Sequence, residues 1–283
     1  YNGGTHLPDL TVVTPVFDAP GRKLRYFVAS RAHHADIGGS TPGPMPPSSR
    51  TIDEEGVLFD GIRIVVGSVL LEAEVRALLA RGPFPARNPD QNIADLKAQL
   101  AANARGALEL GRLVERFGIR TIERYMRHVQ HNAAACVRSA IAELRDGRFT
   151  VELDGGQRIC VRVSIGADRR SAIVDFSGTS AVDSGNFNAP SSIARAAVLY
   201  VFRTLVRQNI PLNAGCLEPL SIVLPEGCLL DPRYPAAVVA GNVETSQCIT
   251  DALLAAPDAS AGAQGRMNNF TSGNPHHQYY GTL

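Results

Sequence analysis

Two spacings of apolar residues alternate along the chain, and they divide it into strand-like and helix-like stretches. Leu10-Thr11-Val12-Val13-Thr14-Pro15-Val16-Phe17 is β-branched and apolar, Asp18-Ala19-Pro20-Gly21 supplies a turn, and Leu24-Arg25-Tyr26-Phe27-Val28-Ala29-Ser30 reads as the returning strand. Such an antiparallel pair brings 5–9 toward 31–36. The Gly-, Pro- and Ser-rich run at 38–50 is a loop, followed by expected short strands near 57–59 and 62–66 and a short helix near 70–80. The period then changes. Ile93, Leu96, Leu100, Ala104, Leu108 and Phe117 recur at three- and four-residue steps or their multiples. Ile119, Ile122, Met126, Val129, Ala133, Val137, Ala140 and Leu144 repeat the pattern beyond Gly118. Asn88 or Asp90 caps the first of two helices and Gly118 ends it.

After this helical hairpin the alternation returns at 149–153 and 158–165, joined by Asp154-Gly155-Gly156, with a further strand at 171–176. Helices are expected over 191–206 and 244–255, and a strand over 220–224. Strands, then helices, then mixed elements predict an α+β fold, with mixed β-sheet regions and an inserted helical hairpin, over a regularly alternating doubly wound sheet. The expected organisation is a β-rich segment at 1–87, the helical hairpin at 88–147 and an α+β segment at 148–283, together forming one continuous catalytic fragment.

Composition narrows the function classes. Of 283 residues, 45% are hydrophobic and 19% charged, as in an ordinary globular protein. Lys+Arg at 28 against Asp+Glu at 27 gives no basic excess of the kind that binds nucleic acid. No apolar run approaches the roughly 18–20 residues that span a bilayer, and Tyr1-Asn2-Gly3-Gly4 has no signal-peptide character. Five scattered cysteines, odd in number and without a CxxC pair, argue against a disulfide framework or zinc ribbon and for a reducing cytoplasm. Both ends read as cut: the chain starts inside a glycine turn and closes on Pro275-His276-His277-Gln278-Tyr279-Tyr280 without a clear terminal element. A fragment of a longer polypeptide is expected.

Three groups of residues carry candidate chemistry. His6 and Asp9 lie in GGTHLPD, and His33, His34 and Asp36 lie in HHADIGG. Imidazole nitrogens and carboxylates ligate divalent metals, which polarise carbonyls or activate water. The plainer alternative is turn capping before a glycine bend, since HxxD spacing is common. The second group, Asn242-Val243-Glu244-Thr245-Ser246-Gln247, offers Glu244 and Gln247 to orient a substrate. It equally fits ordinary helix-start chemistry, with Asn242 as the cap and Glu244 in the first turn. The third, Gln264-Gly265-Arg266-Met267-Asn268-Asn269, offers paired amides that bind an amide ligand or tie down a loop. No GxxxxGK[ST] or GxGxxG cradle and no GxSxG elbow is present, so a nucleotide site of those kinds is not expected on this chain.

Together these segments resemble the hydantoinase B/oxoprolinase family. The resemblance is carried in order by GGTHLPDLTVVTPVF (3–17), SRAHHADIGG (30–39), EEG (54–56), DLKAQLAANARG (95–106), DFSGTS (175–180), IPLNAGCLEPL (210–220), AAVVAGNVETSQ (236–247) and QGRMNN (264–269). It implies a hetero-oligomeric enzyme in which a hydantoinase A-type subunit holds ATP-Mg and small cyclic amides such as 5-oxoproline or hydantoins are opened. Related carboxylases act on acetone or acetophenone, and a non-catalytic scaffold for the ATP-binding subunit is the third reading. The resemblance further implies a divalent metal (Mn, Zn or Fe) on His6, Asp9 and His33, with His34 the alternative if the register differs by one. Asp36 and Glu244 become candidate catalytic carboxylates, and Asn242, Gln247, Asn268 and Asn269 candidate substrate-binding amides. Cys248 and Arg266 depart from the family's usual residues.

Overall fold

The computed structural model describes the chain except residues 19, 20, 22, 44, 263–268, 275, 276 and 283, with backbone alone at 269, 271, 278, 280 and 282. Its helices and mixed sheets are those of an α+β protein. β1 (Asp9–Phe17) and β2 (Leu24–His33) form the expected antiparallel hairpin, in register Asp9↔His33, Thr11↔Arg31 and Val13↔Ala29. Residues 57–64 are not strands, contrary to expectation. Pairing is limited to β3 (Val65–Val66) and β4 (Val69–Leu70), because Gly61 and Gly67, both at positive φ, interrupt the run. α1 (Glu72–Leu79) follows.

α2 (Pro89–Phe117) starts where Asn88 accepts a hydrogen bond from the Gln91 amide and where Pro89 occupies the first turn, the position that costs no helical hydrogen bond. It ends at Gly118, whose φ of 79° turns the chain into α3 (Ile119–Ile141). The two helices do not bury their whole stripes. Leu108, Leu113, Phe117, Tyr125, Met126 and Val129, around the turn, are exposed, whereas the outer halves are anchored in different places. The first half of α2 lies on the β1–β2 hairpin, and the second half of α3 joins the main core through Ala133, Val137 and Ile141.

That main core belongs to a four-stranded sheet in the order β5 (Gly147–Glu152), β6 (Arg158–Ile165), β7 (Ala172–Asp175), β8 (Leu220–Val223). The first three strands pair antiparallel. β7 and β8 pair parallel, so the chain must cross over between them, and α4 (Ser191–Leu205) lies in that connection. Val161, Val163 and Val174 of the sheet meet Val198 and Phe202 of α4 and Ile249 and Leu253 of α5 (Glu244–Ala255). The segment near the end, read as lacking an element, pairs as β9 (Asn269–Gly273) with β10 (Gln278–Thr282). Asn, Ser, Gly and Gln there are weak strand formers, which hid it.

A second, smaller core, built from Leu7, Leu10, Val12, Ile37, Ile52, Val75, Leu79, Ile93, Leu96 and Val238, supports the hairpin. Here polar side chains share the load. Gln99 donates to the carbonyls of Leu10 (2.9 Å) and Ser30 (3.2 Å), and Asn103 to that of Val12 (2.9 Å), all from inside the protein. A two-stranded ribbon leaves half its backbone groups without strand partners, and buried carbonyls need donors. α2 supplies them. Among the described residues, no helix is long and apolar enough to cross a membrane, and all five cysteines are free.

Candidate metal centre

The first residue of β1 and the last of β2 are paired, so the hairpin itself sets Asp9 beside His33. A tight turn before β1, closed by the Asp9 amide donating to the His6 carbonyl, returns His6 to the same place. Asp9 is the hub. Its Oδ1 lies 3.0 Å from His33 Nδ1, its Oδ2 3.3 Å from His6 Nδ1, and Thr5 Oγ1 donates to Oδ2 at 3.1 Å. The two imidazole rings are 5.2 Å apart, and one ligand atom from each of the three residues falls within 4.8 Å of the others. His6 is buried, Asp9 half-buried and His33 exposed, so the cluster opens outward on the His33 side.

Burial lowers the His6 pKa to about 4 against the pull of Asp9, which keeps the ring neutral near pH 7. Burial works to raise the Asp9 carboxyl, but the His33 hydrogen bond, the charges of both histidines and the Thr5 hydroxyl together hold it below its usual range. A neutral imidazole and an ionised carboxylate are the forms that ligate a cation. His6 Nδ1 is buried and has no hydrogen-bond partner, although it faces Asp9. Two imidazoles and one carboxylate, open on one side, match the donor set of a three-ligand catalytic site. The residues fit a divalent metal.

Asn242 adds a partner behind the ring. Its side-chain amide lies 3.5 Å from His6 Nε2, at the end of the 3-10 turn Val239–Asn242. The atom nearest the ring is Nδ2, which holds Nε2 from behind while Nδ1 faces Asp9. Asn242 therefore sits beside a candidate ligand, where the sequence placed it among substrate-binding groups. Glu244 opens α5 two residues later, and Gln247 follows with a buried Oε1 that lacks a hydrogen-bond partner. Asn268 lies outside the described residues, and Asn269 begins β9.

Two neighbours in HHADIGG point elsewhere. His34 is fully buried on the opposite side of the strand, between Gln99 Oε1 (3.3 Å) and Asn92 Nδ2 (3.1 Å), so the register selects His33 for the cluster. Asp36 is not brought to the cluster either. Its carboxylate accepts from the amides of Gly38, Gly43 and Arg87 and pairs with the Arg87 guanidinium at 2.9 Å. It shapes the glycine loop, and those donors use its acceptor sites.

Sequence reasoning passed over Glu55. It is buried at 1% exposure where three segments meet, accepting from Ser49 Oγ (2.9 Å) and from the amides of Val238 (2.9 Å) and Val239 (2.9 Å). Asn186 completes the node by donating to the Pro46 carbonyl, while its own carbonyl accepts from Ala240. Glu55 thus grips the start of the turn that carries Asn242. The available signal was the EEG triplet, which had no chemistry of its own.

Residues 1–283 match the sequence model of the family described as hydantoinase B/oxoprolinase. The chain belongs to this family. Among relatives, the 5-oxoprolinase of Dictyostelium discoideum is 42% identical over 99% of the chain, which spans only 22% of that protein. Among solved structures, the ATP-dependent caprolactamase from Pseudomonas jessenii superposes with a TM-score of 0.79 at 21% identity, covering 99% of this chain and 50% of that one. A nucleotide-free acetone carboxylase superposes with a TM-score of 0.76 at 16% identity, over 91% of this chain and 36% of that one. At those identities the two likenesses show the fold alone.

Proposed function

We propose that the chain is part of an ATP-dependent hydrolase that opens a small cyclic amide, of the 5-oxoproline or hydantoin kind, and that His6, Asp9 and His33 hold its divalent metal (Mn, Zn or Fe). The observation that carries the proposal is the convergence of three ligand atoms within 4.8 Å from positions distant in sequence. A divalent cation held there supplies Lewis acidity toward a carbonyl or a bound water. The chain's own part is positional. Asp9 orients both imidazoles, Asn242 backs the His6 ring, and the strand pairing holds Asp9 and His33 on rigid backbone. Glu244 and Gln247, just beyond Asn242, are the proposed substrate-orienting groups at the head of α5, with Asn268 and Asn269 as further amides.

A ring amide is resonance-stabilised and resists attack by water, which is the reason for coupling to ATP. The hydantoinase A-type subunit expected from the family holds the ATP-Mg, giving a hetero-oligomer in a reducing cytoplasm, where five free thiols persist. The test replaces Asp9 and, separately, His33 by Ala in the complete enzyme, followed by elemental analysis and turnover of 5-oxoproline, hydantoins and ketones. Loss of stoichiometric metal, with ring opening reduced more than about 100-fold, is expected. Unchanged metal content and turnover remove the proposed role, and bicarbonate-dependent ketone turnover moves the chain to the carboxylase reading.

A further inference from the structure

The alternation that sets Asp9 and His33 on one face of the hairpin places further residues in line with them. Thr11 and Arg31 are the next pair on that face, then Val13 and Ala29, then Pro15 and Phe27. The opposite face rests on α2, so this row is the outer one. Asp9, Thr11, Val13, Pro15, Arg31 and Ala29 of that row border a groove of about 1480 Å³ that runs along β1 and also takes in His6, Asp60 and Ile62–Ile64. Along the wall the chemistry grades from metal ligands, to one guanidinium, to bare apolar side chains. Arg31 is exposed, its Nε donates to Thr11 Oγ1 at 3.0 Å, and among the described residues no carboxylate comes within ion-pairing distance of it. Asp9, the nearest carboxylate on that face, is taken by both histidines and Thr5.

A guanidinium pinned through Nε presents its two terminal nitrogens as a planar fork, the shape that matches a carboxylate or phosphoryl group. Arg31 and His33 stand on the same face one pleat repeat apart, about 7 Å between their backbone positions. A small ring bridges such a gap, with its amide toward the cluster and an oxyanion toward the fork. The Thr11 bond lowers the entropy lost on binding.

We propose that Arg31 is a specificity-determining residue that takes an oxyanion carried by the substrate, whose ring spans the gap between Arg31 and the His6–Asp9–His33 cluster. The oxyanion is the carboxylate beside the ring nitrogen of a 5-oxoproline-type lactam, or the phosphoryl group that ATP places on the ring. This rests on the ring-opening reading above.

The experiment uses Arg31→Gln and Arg31→Lys in the complete enzyme, with 5-oxoproline and 2-pyrrolidinone, the same ring without the carboxylate. Ring opening, ATP cleavage and metal content are measured separately. The expected result for Arg31→Gln is a KM for 5-oxoproline raised about 10- to 100-fold, a far smaller change for 2-pyrrolidinone, full metal content, and partial recovery in Arg31→Lys. That pattern assigns the carboxylate. Equal loss of ring opening on both rings, with ATP cleavage retained, assigns the phosphoryl group. Unchanged kinetics on both rings, or equal losses accompanied by loss of metal, overturn the proposal. Where the metal-loaded wild type opens neither ring, the ring-opening reading fails. Where it opens fewer than both, calorimetric binding of 5-oxoproline decides Arg31 on its own: weaker binding to Arg31→Gln supports it and equal binding overturns it.

Discussion

The two cores of the molecule are held by different means. The larger one, between the four-stranded sheet and α3, α4 and α5, is built mainly of apolar side chains, with Phe176, Phe202, Ile249 and Leu253 almost wholly enclosed. The smaller one beneath the β1–β2 hairpin adds a buried row of amides, Asn92, Gln99 and Asn103, to its aliphatic side chains. A sheet of four strands satisfies most of its backbone within itself, whereas a two-stranded ribbon pressed on a helix does not. The amides of α2 therefore fix the position of the hairpin as well as its burial. This lets one face of the ribbon stay open, with His33 and Arg31 upon it, while the other holds the register.

The largest effect expected of this contrast is at Gln99, which meets the carbonyls of Leu10 and Ser30 and the ring of His34. Gln99→Leu keeps shape but removes the donor to two carbonyls and the Oε1 beside the His34 ring, so three groups each lose a partner, at a cost of about 3–5 kcal/mol. In the large core, Leu253→Met, a volume-conserving change, is expected to cost less than about 1.5 kcal/mol. Denaturant midpoints of the two variants compare them directly. A Gln99→Leu protein as stable as Leu253→Met would show that apolar contact alone holds the hairpin.

The same contrast explains what the sequence made legible. Apolar periodicity marked α2, α3, α4 and α5, and the helix over 244–255 was read to the residue. It marked them wherever burial follows hydrophobicity. The pattern located both helices of the hairpin, although Leu108, Phe117 and Met126 within it lie exposed around Gly118. Asn92, Gln99 and Asn103 went unremarked because their role depends on strand carbonyls that only tertiary structure brings near. The cluster of His6, Asp9 and His33 was anticipated from a hairpin whose ends meet. The choice between His33 and His34 turned on a one-residue register, which flips every side chain to the other face. Asp36 misled for a similar reason: its carboxylate follows the glycine loop and not the strand.

Where the two cores adjoin, Glu55 supplies a second, smaller effect. Burial pushes its carboxyl from 4.5 up to about 7, opposed by the Val239 amide, the Ser49 hydroxyl and the Val238 amide and reinforced by neighbouring Glu54. A folded-state value above the unfolded one means that the folded protein holds the proton more tightly. The stability this contributes is complete below about pH 4.5 and is lost as pH rises through about 7. The span is at most about 3 kcal/mol. Thermal unfolding followed from pH 5 to pH 8 is expected to show this decline, and Glu55→Gln, which cannot ionise, is expected to flatten it. Parallel profiles for the two proteins would remove Glu55 as the source.

The smallest expected effect lies on the open face. Phe27 is 64% exposed on the outer face of the hairpin, in register with Pro15, and its ring meets solvent, not core. If hydrogen bonding from α2 and burial of the inner face hold the hairpin, an outer side chain contributes little to folding. Phe27→Ser is then expected to change stability by no more than about 0.5 kcal/mol. Chemical denaturation of Phe27→Ser measures this. A loss of about 2 kcal/mol or more would mean that the outer face is itself part of the packing, and the division between a held face and an open one would fail.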